Sequence, residues 1–183
     1  MTDGVTLVSF GGKAPVIHPT AFVAPGCRIV GDVEIGPEAS IWYNCVLRGD
    51  VNAIRIGART NIQDDTVVHV DSPRGAGDPG CPTIIGDDVL IGHMAMVHGC
   101  RLHDRSFVGL GAIVMDGCTI EGGGMLAAGA MLTPGRTIGA GQLWVGRPAR
   151  FARDLSEAEI AGNLLGVAHY VENAKAHRAA ISG

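Results

Sequence analysis

The chain has 183 residues, with 14 Lys and Arg against 18 Asp and Glu, a net charge of -4. That balance gives no basic footprint for nucleic acid, no apolar run is long enough for a membrane span, and Met1 to Phe10 lacks the basic start and apolar stretch of an export signal. The length suits one domain plus a terminal extension in a cytoplasmic protein, and 46% apolar residues with only 4% aromatics suit a narrow aliphatic interior.

From Ile17 an aliphatic recurs every six residues: Val23, Ile29, Ile35, Ile41 and Leu47. The pattern resumes at Ile56, Ile62 and Val68, and again at Ile85, Ile91 and Val97. After a five-residue step to Leu102 it continues through Val108, Val114, Ile120, Leu126, Leu132, Ile138 and Trp144. Gly often follows the aliphatic, as at Gly36, Gly57 and Gly109, and a small residue stands four after it, as at Ala39, Cys45 and Ala112. Units this short cannot bury their own apolar face and must stack. The period is neither 3.6 nor 2, so helix and hairpin sheet fit poorly. The expected fold is all-β: each hexad makes a strand and a corner, three hexads close a triangular coil, and glycines serve corners with unusual backbone angles.

Residues 1–150 are expected to form this β-helix. Within it Ser72 to Pro82, dense in Gly and Pro, should leave the coil as a loop near any site built on the neighbouring strands. Cys27, Cys45 and Cys118 occupy the small-residue phase and read as buried hydrophobes, while Cys81 lies in the loop as the thiol to check for reactivity. An odd count of five argues against a disulfide framework. In residues 151–183, S-E-A-E at 156–159 reads as a capping box. Ile160, Leu164, Val167, Val171 and Ala174 follow at helical spacing. The expected helix, roughly 157–180, lies on the prism or on a neighbouring subunit, or covers the open end of the stack.

His69, His93 and His98 are the candidate chemistry. Three imidazoles with one open position are the ligand set of a catalytic metal. His93 and His98 fall on consecutive faces with a corner between them, and five extended residues span about 15 Å. They cannot share one ion within a chain. His69 and His98 have the same phase. The economical site takes those two from one subunit and His93 from its neighbour, in a closed ring that a trimer satisfies. Three unrelated histidines are the competing account, since His18, His103, His169 and His177 show that the residue is not rare here. His18 should be structural or exposed, His103 a corner residue, and His169 and His177 solvent-facing on the helix.

The segments L-R-G-D-V at 47–51, N-I-Q-D-D-T at 61–66, V-V-H-V at 67–70 and I-G-H-M-A-M-V-H-G-C at 91–100 resemble the gamma-class carbonic anhydrases, and residues 14–150 resemble the wider hexapeptide-repeat proteins. The resemblance implies a left-handed parallel β-helix of hexapeptide repeats with a C-terminal α-helix. It implies reversible hydration of carbon dioxide to bicarbonate at homotrimer interfaces. His69, His93 and His98 would bind Zn2+, or Fe2+ or Co2+. Arg48, Asp50, Gln63 and Asp64, together with Asn61, match the family's further site positions. Gln63 would orient metal-bound hydroxide. Asp64 would pair with Arg48 across the interface, or Arg48 would steer bicarbonate. Tyr170 on the helix would reach a neighbour's site, against ordinary helix packing. The archetypal glutamate relay has no match: Val51 stands where such a member has Glu, and the loop offers only Asp71 and Asp78. Slow hydration is therefore expected. Hexapeptide-repeat acyltransferases, coenzyme A thioesterases and non-catalytic assembly subunits are the competing functions.

Overall fold

The hexad aliphatics point inward and stack. Ile29, Ile41, Leu47, Ile62, Ile91, Val108, Ile120, Leu126 and Leu132 are fully buried in a single column. The computed structural model, which describes residues 4–182, is a left-handed parallel β-helix. Met1 to Asp3, the start of the segment read as lacking an export signal, and Gly183, the end of the C-terminal extension, lie outside the described residues. No helix among the described residues is long and apolar enough to cross a membrane.

The prism has three faces. One runs from Phe22–Val23 through Ser40–Ile41, Asn61–Ile62, Leu90–Ile91 and Phe107–Val108 to Gln142–Val145. A second carries Val67–His69, Met96–His98, Ile113–Val114 and Met131–Leu132 in register. A third carries Thr83–Ile85, Arg101–Leu102, Thr119–Ile120 and Thr137–Ile138. Two long strands, Arg28–Ile35 and Val46–Ile56, turn the corner between the second and third faces.

Those long strands explain the break in the repeat. Gly31 pairs with Gly49 and Val33 with Ile54, so Asp32 faces four residues, Asp50 to Ala53, a three-residue excess on one side. The excess bulges outward without disturbing the core, where Val33 and Ile54 are buried. A Cβ on Gly31, whose φ is +77°, would lie 2.3 Å from the Gly49 carbonyl oxygen, so the bulge requires glycine there.

The glycines that follow the hexad aliphatics do a different job from the one expected. Gly36, Gly57 and Gly109 do not have positive φ. They are small because neighbouring coils approach closely: a Cβ on Gly109 would sit 2.3 Å from the Ala128 nitrogen. The left-handed angle falls two residues later. Gly111, Gly117 and Gly123 take it in the later coils, and Asn44, Arg59, Asp65, Asp88, Met94 and Arg105 in the earlier ones. Asn and Asp tolerate that conformation; Arg and Met adopt it at a strain cost of order 1 kcal/mol or more. Met94 is 64% exposed, so most of its side chain is uncovered within the chain.

The small-residue phase is buried throughout, from Ala39 and Cys45 to Ala112 and Cys118. Its polar members serve the corners. Cys27, Cys45 and Cys118 thiols donate to the carbonyls of Trp42 (2.8 Å), Gln63 (3.1 Å) and Thr133 (3.1 Å), and the Thr60 hydroxyl to Gly86 (2.7 Å). Burial pushes the Cys100 and Cys118 thiols up, away from reactivity.

Past Trp144 the chain doubles back, and Arg150–Asp154 pairs antiparallel with Gln142–Val145. Nothing in the residue pattern marks this strand, because all five of its residues are exposed and no apolar alternation runs through it. The helix Glu157–Ser182 then runs along the first face, touching its strands from Phe22–Val23 to Leu90–Ile91. Val167 and Ala174 are its buried seam. His177 does not face solvent as expected: its Nδ1 meets the Tyr43 hydroxyl at 2.9 Å and its ring lies 4.9 Å from Trp42. His169 is exposed and bonds Asn173 within the helix. The capping box forms, with Ser156 N–H donating to Glu159 at 2.9 Å and Glu159 N–H to Ser156 Oγ at 3.3 Å. Ser156→Ala should lower unfolding stability by about 1 kcal/mol. Thermal melts of the two proteins check this; an unchanged midpoint would mean that the helix start is held by Arg153 on Glu159 alone.

Candidate metal centre

Strand register brings the first two histidines together. His69 and His98 end the paired strands Val67–His69 and Met96–His98 and are direct Cα partners. Both stand two residues beyond an outward residue, so both rings project from the same face. His69 Nδ1 lies 2.9 Å from His98 Nε2, with ring centroids 4.9 Å apart. The bulge in Val46–Ile56 lifts Asp50 onto them, its Oδ1 3.0 Å from His69 Nε2 and its Oδ2 2.5 Å from Arg48. Burial opposes ionisation of Asp50, but the hydrogen bond from His69 and the Arg48 pair outweigh it and hold the carboxyl below the usual range. On the other side His98 Nδ1 meets Asp116 Oδ1 at 2.5 Å.

Proton counting shows what this cluster lacks. The contacts Asp50–His69, His69–His98 and His98–Asp116 each need a proton between the two atoms. Two neutral imidazoles bring one N–H each. With both carboxylates satisfied, the nitrogens facing each other at 2.9 Å are two lone pairs. A cation between them, whether a third proton or a metal ion, resolves the conflict. Two nitrogens on one tetrahedral zinc are about 3.3 Å apart at bonds of 2.0–2.1 Å, so the rings need to open by only a few tenths of an ångström. The donor set fits a divalent metal.

His93 stands elsewhere. It lies in the corner after Leu90–Ile91, where its carbonyl accepts from Gly111 N–H at 2.8 Å and Met94 N–H bonds the Asp64 carbonyl one coil earlier. Its Nδ1 is 2.8 Å from Asp64 Oδ2, which leaves Nε2 as the lone-pair nitrogen of a side chain 38% exposed. Gln63 belongs to the same corner stack. It is 4% exposed and donates from Nε2 to Asn61 Oδ1 at 3.0 Å, and Asn61 is fully buried. Tyr170 approaches from the helix with its ring 5.3 Å from Trp42. Burial, and secondarily the Asp64 charge, push its phenol up, so it stays protonated beside that corner.

The expected site residues therefore fall into two groups. Arg48, Asp50, His69 and His98 form one; Asn61, Gln63, Asp64, His93 and Tyr170 form the other. Among the described residues no three His, Cys, Asp or Glu side chains form a metal cage within one chain. Within the chain Arg48 and Asp64 each have their own partner, Asp50 and His93. Two residues went unread in the sequence. Asp116 is 18 residues, one coil, after His98, and that spacing was the available signal. Asn52 is the other: its Nδ2 donates to the Asp71 (3.1 Å) and Pro79 (2.9 Å) carbonyls and ties the 72–82 loop to the bulge that carries Asp50. The loop closes on itself where Asp71 and Cys81 exchange backbone hydrogen bonds.

An apolar stripe separates the two groups. Val46, Val67, Met96, Ile113 and Met131 point outward in consecutive rungs of the second face. Val67 and Met96 are 39% and 46% exposed, and Met94 and Leu110 add to the stripe on the His93 side.

The family model for bacterial transferase hexapeptide repeats matches residues 14–49. The chain is 48% identical over 174 residues to gamma carbonic anhydrase 1, mitochondrial, of Arabidopsis thaliana, covering 95% of this chain and 63% of that one. It is 44% identical over 178 residues to gamma carbonic anhydrase 3, mitochondrial, of the same plant, covering 93% and 69%. Among solved structures, a putative acetyltransferase of Bacillus cereus superposes with a TM-score of 0.91 at 34% identity, over 97% of this chain and 99% of that one. The chain spans a little under two thirds of the length of the first of these relatives.

Proposed function

The chain belongs to the gamma carbonic anhydrase family of hexapeptide-repeat proteins, and from that premise we propose that it is a metal-dependent carbonic anhydrase, hydrating carbon dioxide reversibly at three sites shared between the subunits of a homotrimer. The observation that carries this reading is the split geometry: two lone-pair nitrogens facing each other in one group, and a third imidazole with a free Nε2 in another, on either side of an apolar stripe. A neighbouring subunit packed on the stripe supplies the missing nitrogen and buries the exposed aliphatics together. Zn2+ is the proposed ion, with Fe2+ and Co2+ compatible with three imidazoles. When bound, such an ion would lower the pKa of its water to about 7 and so supply hydroxide near neutral pH.

The chain's own residues have separable roles. Asp50, Asp64 and Asp116 take the N–H of the three rings and keep the other nitrogens free for the ion. Gln63, held by Asn61, would orient a hydroxide with a neutral amide, adding no charge that would raise its pKa. Arg48, half exposed at the rim, draws bicarbonate toward the mouth while its pair with Asp50 holds it there. Proton export is the weak step. Val51 is 43% exposed and cannot carry a proton. Asp71 is held by Arg74 at 2.6 Å, and Asp78 accepts from Gly80 N–H at 2.9 Å. Turnover is therefore slow in weak buffer. The five free thiols fit a reducing compartment, which we take to be the cytoplasm.

The test is metal content and carbon dioxide hydration on one untagged sample, purified without chelator, beside Gln63→Ala. The expected result is about one metal per chain in both proteins, with hydration reduced on the order of 10²-fold in the variant. Metal without hydration in the parent protein would move the reading to hydrolysis of another substrate, coenzyme A thioesters among them. Absence of metal after zinc or anaerobic iron is supplied would move it to acyl transfer or an assembly role.

A further inference from the structure

The carboxylate on His98 sits in a gap made for it. A Cβ on Gly99, whose φ is +51°, would lie 2.3 Å from Asp116 Oδ1, so the carboxylate passes through space that only glycine leaves open. It reaches His98 Nδ1 at 2.5 Å. The Asp116 backbone is pinned from below, its carbonyl accepting from Gly135 N–H at 2.9 Å. Asp116 is the downstream neighbour of His98 in the stack, as Asp50 is the neighbour of His69 on the other side.

We propose that Asp116 is a positioning residue for the metal centre: it fixes His98 as the Nδ1–H tautomer, so that Nε2 is the nitrogen presented toward His69 and the ion. Gly99 is its necessary companion, because any larger side chain there displaces the carboxylate. An imidazole without that partner spreads its proton between both nitrogens, and each molecule with Nε2–H must give it up or flip before binding metal. A carboxylate on Nδ1–H also makes Nε2 a better donor to the ion. The inference rests on the proposed metal-dependent function, but the tautomer is a property of the metal-free protein.

The experiment therefore has two arms. In chelator-stripped protein labelled with 15N-histidine, at alkaline pH, long-range 1H–15N NMR reads the tautomer of His98. Nδ1–H is expected in the parent protein, and loss of that preference in Asp116→Ala and Gly99→Ala. Zinc affinity by chelator competition is expected to fall about 10- to 100-fold in Asp116→Ala, with saturating stoichiometry and thermal midpoint held. Asp116→Asn keeps an acceptor without the charge and should fall between. Nε2–H in the parent, or equal zinc affinity in Asp116→Ala, would overturn the proposal. A parent protein that takes no zinc but shows the Asp116-dependent tautomer would leave the positioning role standing and remove the metal reading beneath it.

Discussion

Subunits carrying His93→Ala and subunits carrying His98→Ala, each devoid of metal alone, should regain about a quarter of the parent's metal and hydration when equal amounts are unfolded and reassembled together. The fraction follows from where the nitrogens sit. His69 and His98 are partners across one strand pair, while His93 stands on the corner beyond the apolar stripe. A shared site is intact when the subunit giving His69 and His98 carries the His93 change and the neighbour giving His93 carries the other. In a random ring each condition holds half the time. An intrachain site predicts no recovery at any ratio, because every chain lacks one ligand.

The two variants should not fail in the same way. His98→Ala leaves Asp116 without its imidazole partner and removes one of the two facing nitrogens. His93→Ala leaves Asp64 without its imidazole partner and keeps His69 and His98. His93→Ala therefore keeps the two-nitrogen half of the site, His98→Ala does not, and both lose the ion. Mixed rings with verified composition that hold no metal would overturn the shared site, whatever the single variants do.

The strand stack was legible because the hexad period leaves one geometric solution for its aliphatics: buried Ile29, Ile62 and Leu126 occupy the phase their spacing assigns. The separation of His93 from His98 followed from the same phase count. The capping box at Ser156 was legible because its chemistry is local. Features that depend on contact between coils were harder. Asp116 reads as one more polar corner residue until the coil of 18 places it on His98, and Gly99 then explains why it reaches. The outward stripe was hidden by the core: Val67, Met96 and Ile113 are aliphatics in a sequence already full of them. Only the register shows that they face away from the column. The antiparallel return strand Arg150–Asp154 had no signal at all, since backbone pairing at an exposed edge makes little demand on side chains.

Ile113→Asp should abolish metal binding without touching a single ligand. Ile113 pairs with Met96 on one side and Met131 on the other, in the middle of the stripe and one rung below His98. In a lone prism its side chain is only partly buried, so the exchange costs the monomer little beyond strand propensity, up to about 1 kcal/mol. In a trimer packed on the stripe, each aliphatic fully covered contributes about 1.5–3 kcal/mol, and a short carboxylate buried among them has no route to water and no partner. Aspartate is the stringent choice because lysine would carry its charge out along a flexible stem. The expected product is a folded monomer by sedimentation, with its β spectrum retained and its thermal midpoint lowered by loss of the interface and the ion, that has lost its metal although His69, His93 and His98 are all present. A monomer that keeps its metal would return the site to a single chain. A trimer that keeps its metal would place the subunit interface on another face, and His93 would then have to reach its partners by a route other than the stripe.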